Sequence, residues 1–452
     1  MHPPYLHLAL FSLITVGHSG TASARRLYQR EDSDVDSSPA VATAAAAQSS
    51  PNSIEDDEPP LELPLESESL IAMQFTDDPY AHRDHMEMIQ NGELGLAAIR
   101  YSHTSFVAGG ADADAYAYTE VQGEFCVFDS SLSKQDPAKY PTMNAIMSDS
   151  DHCGEHRYMM PLREVMHDAS SGSNAIKSLP VSGLLFHEGY SGAGLISNAL
   201  ATFDSTLVIS EHPAIRDALS ACDVIRNRYK SDNCSPLMQQ QLVQDVISLL
   251  SRTSNTSIQH LYLKLSSTSA AYLPAMRSLY PDANWAFVYR NADDALAKAT
   301  QRNRSSTCKK AQRNPSMALS AKSNEYNVDL EQLSHYEVCS LQLSSLLDTA
   351  SKEHDESGTG MLISYDDDIL SNANNVVHVI LPYLGLQEDI EANPQVVSER
   401  VSEILSLRSN ASGMVNPEDK QWGGESIEIS EEVGTASKVF LKHSMDSIMR
   451  MR

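Results

Sequence analysis

The sequence predicts an α/β protein in which a parallel sheet flanked by helices spans residues 178–452, preceded by a mixed α/β segment over 69–177. Three observations predict it. From residue 180 onward, short apolar runs alternate with helical stretches, the pattern of strand–helix units in a parallel sheet. The runs are compact and nearly continuous in apolar residues, as strands covered on both faces are. The first of them leads straight into a glycine-rich loop, FHEGYSGAGL (186–195), and then a helical pattern.

The elements follow in order. Residues 5–17, YLHLALFSLITVG, form an apolar segment followed by Ala22-x-Ala24. This is a secretory signal pattern over 1–24, although His2 stands where a cationic start is usual. A Golgi-type signal anchor is the alternative. No apolar run reaches the roughly 18 residues of a membrane span. Residues 25–68 are rich in Ser, Ala, Pro and acids and read as disordered. In 69–177, Met86–Arg100 reads as a helix then a strand, 115–129 as a strand pair around Gly123, and 161–169 as a short helix. Strands follow at 181–188, 205–211, 260–267 and 284–290, with helices at 192–203, 212–222, 235–253 and 293–302. Ser235 caps the third of these helices. A further strand lies at 362–366, and late helices at 397–409 and 435–449.

Formal net charge is −27 over 452 residues, which argues against nucleic-acid binding. Six cysteines, none in a Cys-x-x-Cys pair, make a structural zinc site a poor fit and suggest disulfides, with 15 possible pairings. The sequence-local pairing is 126–153, 222–234 and 308–339; free buried thiols are the alternative. Asn-x-Ser triplets stand at Asn233, Asn255, Asn303 and Asn410. Together these features place the chain in the secretory pathway, in the Golgi lumen or secreted.

At the carboxyl end of a strand, Gly189, Gly192 and Gly194 permit close backbone approach to a phosphate, and the following helix start supplies donors. Leu195 and Ile196 occupy the Lys and Ser/Thr positions of an ATPase loop, so an ordinary nucleotide triphosphatase is not expected. A Gly-rich turn without a ligand is the bland alternative. Other features carry less. Asp366-Asp367-Asp368 suggests either a metal or a solvated turn. His82 and His85 lack the spacing of a metalloprotease, and no nucleophile elbow is present.

A second element sharpens the picture. LYLKLSS (261–267) and NWAFVYRNADDALAK (284–298), together with the loop and Ser210-Glu211-His212-Pro213, resemble the sulfotransferase family. These are P-loop-like folds that use 3′-phosphoadenylyl sulfate. The resemblance covers roughly 180–390. It implies that Gly189, Tyr190, Ser191, Gly192, Ala193, Gly194 and Leu195 hold the 5′-phosphosulfate. It implies that Arg290 and Lys298 hold the 3′-phosphate, and that Glu211 is the general base, with His187 and Glu188 as second choices. The acceptor would be a hydroxyl or amine of a glycan or protein. Departures are plain: Tyr190 replaces the family's loop cation, Ala193 and Gly194 its hydroxyls, Ala292 its proline, and Lys298 its serine. Lys264 is the residue best placed to replace the missing cation, and Arg302, Arg304, Lys309, Lys310 and Arg313 form a basic cluster. The alternative function is a degenerate member of the fold that binds nucleotide, glycan or protein without turnover.

Overall fold

The computed structural model describes residues 78, 80–106, 118, 120–137, 139–171, 177–301, 307–372, 374–406 and 429–452. The signal pattern, the 25–68 stretch, Arg302, Arg304 and the triplets at Asn303 and Asn410 lie outside them.

Two sheets organise the molecule. The first is antiparallel, in the order β1 (Gly95–Arg100), β2 (Gln122–Cys126), β3 (Tyr158–Pro161). The stretch 115–129, expected to be a strand pair, holds a single described strand. Gly123 sits inside β2, opposite Ile99 on β1 and Met160 on β3, rather than at a turn. Its missing side chain makes room for the Phe125 ring, which lies 2.5 Å from where a Cβ would stand.

The second sheet is five-stranded and wholly parallel: β4 (Val181–His187), β5 (Thr206–Ser210), β6 (His260–Lys264), β7 (Asn284–Tyr289) and β8 (Met361–Ser364). The spatial order is β5-β6-β4-β7-β8. The strands alternate between two covered faces, which is why they read as continuous apolar runs. Leu184 and Phe186 of β4, with Trp285 and Phe287 of β7, enter one core cluster; Leu185, Ala286 and Val288 enter the other. The antiparallel sheet shares the first cluster, through Leu96, Ile99 and Phe125.

The helices that matter for the site are α1 (Ala193–Ala201), α2 (Pro213–Tyr229), α3 (Pro236–Leu250), α4 (Ala292–Gln301), α5 (His335–Ser357) and α6 (Lys442–Met451). Ser235 caps α3, its hydroxyl accepting from Met238 N. Disulfides join Cys126–Cys153, Cys222–Cys234 and Cys308–Cys339, the sequence-local pairing, and fit an oxidising, lumenal or secreted setting. No helix among the described residues is long and apolar enough to cross a membrane.

Strand order fixes where a ligand can enter. The chain leaves central β4 toward β5 and β6 on one side, then crosses to β7 and β8 on the other. Connections that depart in opposite directions open a crevice at the carboxyl ends of the strands between them. That crevice is bounded by the loop after β4 and the turn after β7.

Candidate active site

The loop after β4 is built by three residues with positive φ: Gly189 (99°), Tyr190 (55°) and Gly192 (82°). Tyr190 is the strained member, because a side chain disfavours that conformation. Gly192 caps α1 with no side-chain hydrogen bond, so no side chain engages the backbone donors of that helix start. Ala193 and Gly194 form the first turn of α1, with Leu195 N donating to Gly192 O at 2.9 Å. Ser191 is 1% exposed, and its hydroxyl has no hydrogen-bond partner among the described residues.

On the β5–β6 bank stands a buried ionic cluster. Glu211 follows β5 with φ of 50°, a second strained position. Lys264 ends β6, the neighbouring strand, and its Nζ donates to Glu211 Oε1. Lys264 is only 5% exposed, so it is not a solvated strand-end lysine. The Glu211 side chain is 29% exposed and can meet a ligand. His187, at the end of β4, completes the cluster with its Nε2 3.5 Å from Glu211 Oε1. Gly189 N donates to His187 Nδ1 at 3.0 Å, which leaves the ring proton on Nε2, facing the carboxylate. Burial would raise the Glu211 pKa, but the Lys264 ammonium and His187 outweigh it and hold the carboxyl well below the usual range. Burial, aided by Lys264, lowers the His187 pKa and keeps that ring neutral. His212 plays a structural part instead, since its Nδ1 accepts from Ala214 N and caps α2.

The β7–β8 bank carries Arg290, which the sequence assigned to a phosphate. Its guanidinium is already engaged. It donates to Asp294 at 3.2 Å, lies 3.9 Å from Asp366, and stacks 4.9 Å from the centre of the Tyr365 ring. Asp366 also accepts from Asn291 N at 2.9 Å. The same Tyr365 ring fills the space above Gly192, 2.2 Å from where a Cβ would stand. Tyr365 and Asp366 thus lie between the loop after β4 and Arg290. Their turn is pinned by Arg452, which pairs with Asp367 at 2.6 Å and also with Asp368. The acid triplet therefore serves as ion-pair partners rather than as metal ligands or a free turn. Lys298 lies on α4 close enough to Arg290 for the guanidinium to add to burial in lowering its pKa. Lys309, Lys310 and Arg313 lie on the helix Thr307–Arg313, exposed, next to the buried half-cystine Cys308.

Glu188 joins the two banks. It is 4% exposed, and its Oε1 accepts from Arg290 N at 2.6 Å. Its Oε2 has no hydrogen-bond partner among the described residues. Burial pushes its pKa up to about 8, against the pull of Arg290. Glu188 and Glu211 are thus two carboxyls driven in opposite directions, one by burial and the other by Lys264 and His187. Beside this crevice, Asp366 also lines a cleft of about 560 Å³ that continues past Tyr289 and Asp293 to Lys438 and Lys442. Asp294 lies within the 284–298 stretch and Tyr365 beside the acid triplet, but their contacts with Arg290 were not foreseen from sequence, because only the fold brings Tyr365 and Asp366 to it.

No family model matches the chain, and no curated protein matches it. Among solved structures it is similar to the sulfotransferase STF9 from Mycobacterium avium, with 10% identity, a TM-score of 0.36, and 71% of this chain and 86% of that one covered. It is also similar to the sulfotransferase domain from the curacin biosynthetic pathway, with 10% identity, a TM-score of 0.29, and 58% and 97% covered. Both scores are below the level at which a shared fold follows, and the parallel α/β architecture rests on the strand order itself.

Proposed function

We propose that the crevice binds an anionic sulfuryl donor of the 3′-phosphoadenylyl sulfate class. On this reading it transfers the sulfuryl group to a hydroxyl or amine of a glycan or protein in the secretory pathway. The observation that carries the reading is the buried Glu211–Lys264–His187 cluster beside a glycine-rich helix start at the crossover point of a parallel sheet. Glu211 is ionised and partly exposed, so it can accept a hydrogen bond from the acceptor and orient it, and it becomes basic enough to take the proton as Lys264 turns toward the departing phosphate oxygen. The S–O bond to the phosphate breaks as the new one forms, and negative charge grows on the departing phosphate oxygen. Lys264, buried at the end of β6 beside β4, would stabilise that charge. The backbone donors of α1 and the Ser191 hydroxyl would hold the 5′ end. Arg290 and Lys298 would hold the 3′-phosphate once Asp366 and Tyr365 move aside.

A second reading is favoured by a specific observation. Arg290 is balanced by Asp294 and Asp366, and Tyr365 fills the glycine's space. A fold locked in that arrangement would be a degenerate sulfotransferase-like protein, binding a partner without turnover. Incubation with labelled 3′-phosphoadenylyl sulfate and pooled glycan and tyrosine-peptide acceptors separates the two. Label transfer that is lost in Glu211→Gln supports the enzyme. Donor binding without transfer to any acceptor supports the degenerate form.

A further inference from the structure

We propose that Asn255 is a site of N-linked glycosylation, and that Asn233, which heads a triplet of the same type, is not. The two triplets differ in what their side chains already do. Asn255-Thr256-Ser257 lies in the turn between α3 and β6, with all three residues exposed. Asn255 Oδ1 accepts from Ser257 N at 3.0 Å and from the Ser257 hydroxyl at 2.7 Å. The hydroxyl that defines the triplet therefore sits on the side-chain amide, polarising it, while Nδ2 has no hydrogen bond among the described residues. In Asn233-Cys234-Ser235 the middle residue is buried and joined to Cys222. The Ser235 hydroxyl is spent on Met238 N as the cap of α3. That triplet is held at its middle residue and at its serine, although Asn233 itself is exposed.

Position supports the same assignment. The 255 turn enters β6 at its amino end, whereas the crevice lies at the carboxyl ends of the strands. A bulky polar glycan there leaves the crevice open. In the reaction, Asn255 Nδ2 bonds to the anomeric carbon of an oligosaccharide carried on a lipid diphosphate. The carbon–oxygen bond to the diphosphate breaks, the lipid diphosphate leaves with the electron pair, and the amide nitrogen loses a proton. The host's lumenal transferase performs this step on exposed Asn-x-Ser/Thr sites. The proposal rests on the lumenal setting that the three disulfides fit.

The test is site-resolved mapping of the full chain expressed in a eukaryotic cell with its own N-terminus. Enzymatic deglycosylation in heavy-oxygen water converts each glycosylated Asn into labelled Asp. The expected result is label at 255 and none at 233, lost in Ser257→Ala and kept in Ser257→Thr. The Cys222–Cys234 disulfide in the same digest reports entry into the lumen. That disulfide without label at 255 overturns the assignment, as does equal label at 233. Neither disulfide nor label overturns the lumenal setting itself, and the site falls with it.

Discussion

Glu211 and Arg290 occupy comparable places, each just past a parallel strand at the edge of one crevice, and each is paired with opposite charge. Their partners make the difference. Glu211 pairs with Lys264 from the adjacent strand end, and both are fixed by the sheet itself. Arg290 pairs with Asp366, carried on a turn after β8 and held there by Arg452. Asp366 can leave Arg290 by moving one turn, while Asp294 on α4 stays beside it. A charge held by the scaffold is preorganised for chemistry, whereas a charge answered by a turn is one a ligand must compete for.

The largest expected effect is on turnover. Glu211→Gln should lower sulfuryl transfer by about 10²- to 10⁴-fold, the usual worth of a positioned base. Full activity in that variant would move the base elsewhere, Glu188 being next. Next is stability on the same bank. Lys264→Met leaves the Glu211 carboxylate without its cation and should cost about 3 kcal/mol in denaturant unfolding. The double variant with Glu211→Gln should recover most of it. A single-variant cost below about 0.5 kcal/mol would mean the pair is not structural.

The other bank is tested at Gly192. A Cβ there meets the Tyr365 ring, and φ is 82°. Gly192→Ala should destabilise by about 2 kcal/mol, of which about 1 is backbone strain and remains when Tyr365→Ala removes the ring. Complete recovery would show that the ring alone demands the glycine.

Glu188 gives a graded signal spread over several pH units. Its folded pKa is raised from 4.5 to about 8, so the native state binds the extra proton across that window. Glu188's contribution to stability is therefore greatest below the ordinary carboxylate range and falls as pH rises toward 8, by at most about 1.4 kcal/mol per pH unit. Glu188→Gln should flatten that slope, and an unchanged slope would assign it to another group.

Much of this arrangement was legible in the sequence because it is local. The strands of the parallel sheet are uninterrupted apolar runs, and the loop, Glu211 and Arg290 each sit at a strand end within a few residues of their motif. Lys264 could be placed near the site, but not its burial against Glu211, because pairing of β5 with β6 spans more than fifty residues of chain. The closure of Arg290 by Asp366 is longer still in sequence. The helix α5 is not legible from its apolar period, though Ser334 and Glu337 form a capping box at its start. Its buried face is laced with serines, including Ser340, Ser344 and Ser345, which break the apolar period. Their hydroxyls are satisfied inside the core, Ser340 on Ala436 O and Ser344 with Ser444. The doubled strand expected at 115–129 failed for a related reason: a glycine that looks like a turn serves to admit Phe125.

The most direct measurement is calorimetric titration of the chain with 3′-phosphoadenosine 5′-phosphate, run beside Arg290→Ala and Asp366→Asn. Micromolar binding that disappears in Arg290→Ala is the predicted result. Binding should also be about five- to tenfold tighter in Asp366→Asn, up to about 1.4 kcal/mol, because a competing carboxylate has been removed. No binding at millimolar nucleotide, in the wild type and in Asp366→Asn alike, would contradict the donor site and leave the crevice without an anionic nucleotide.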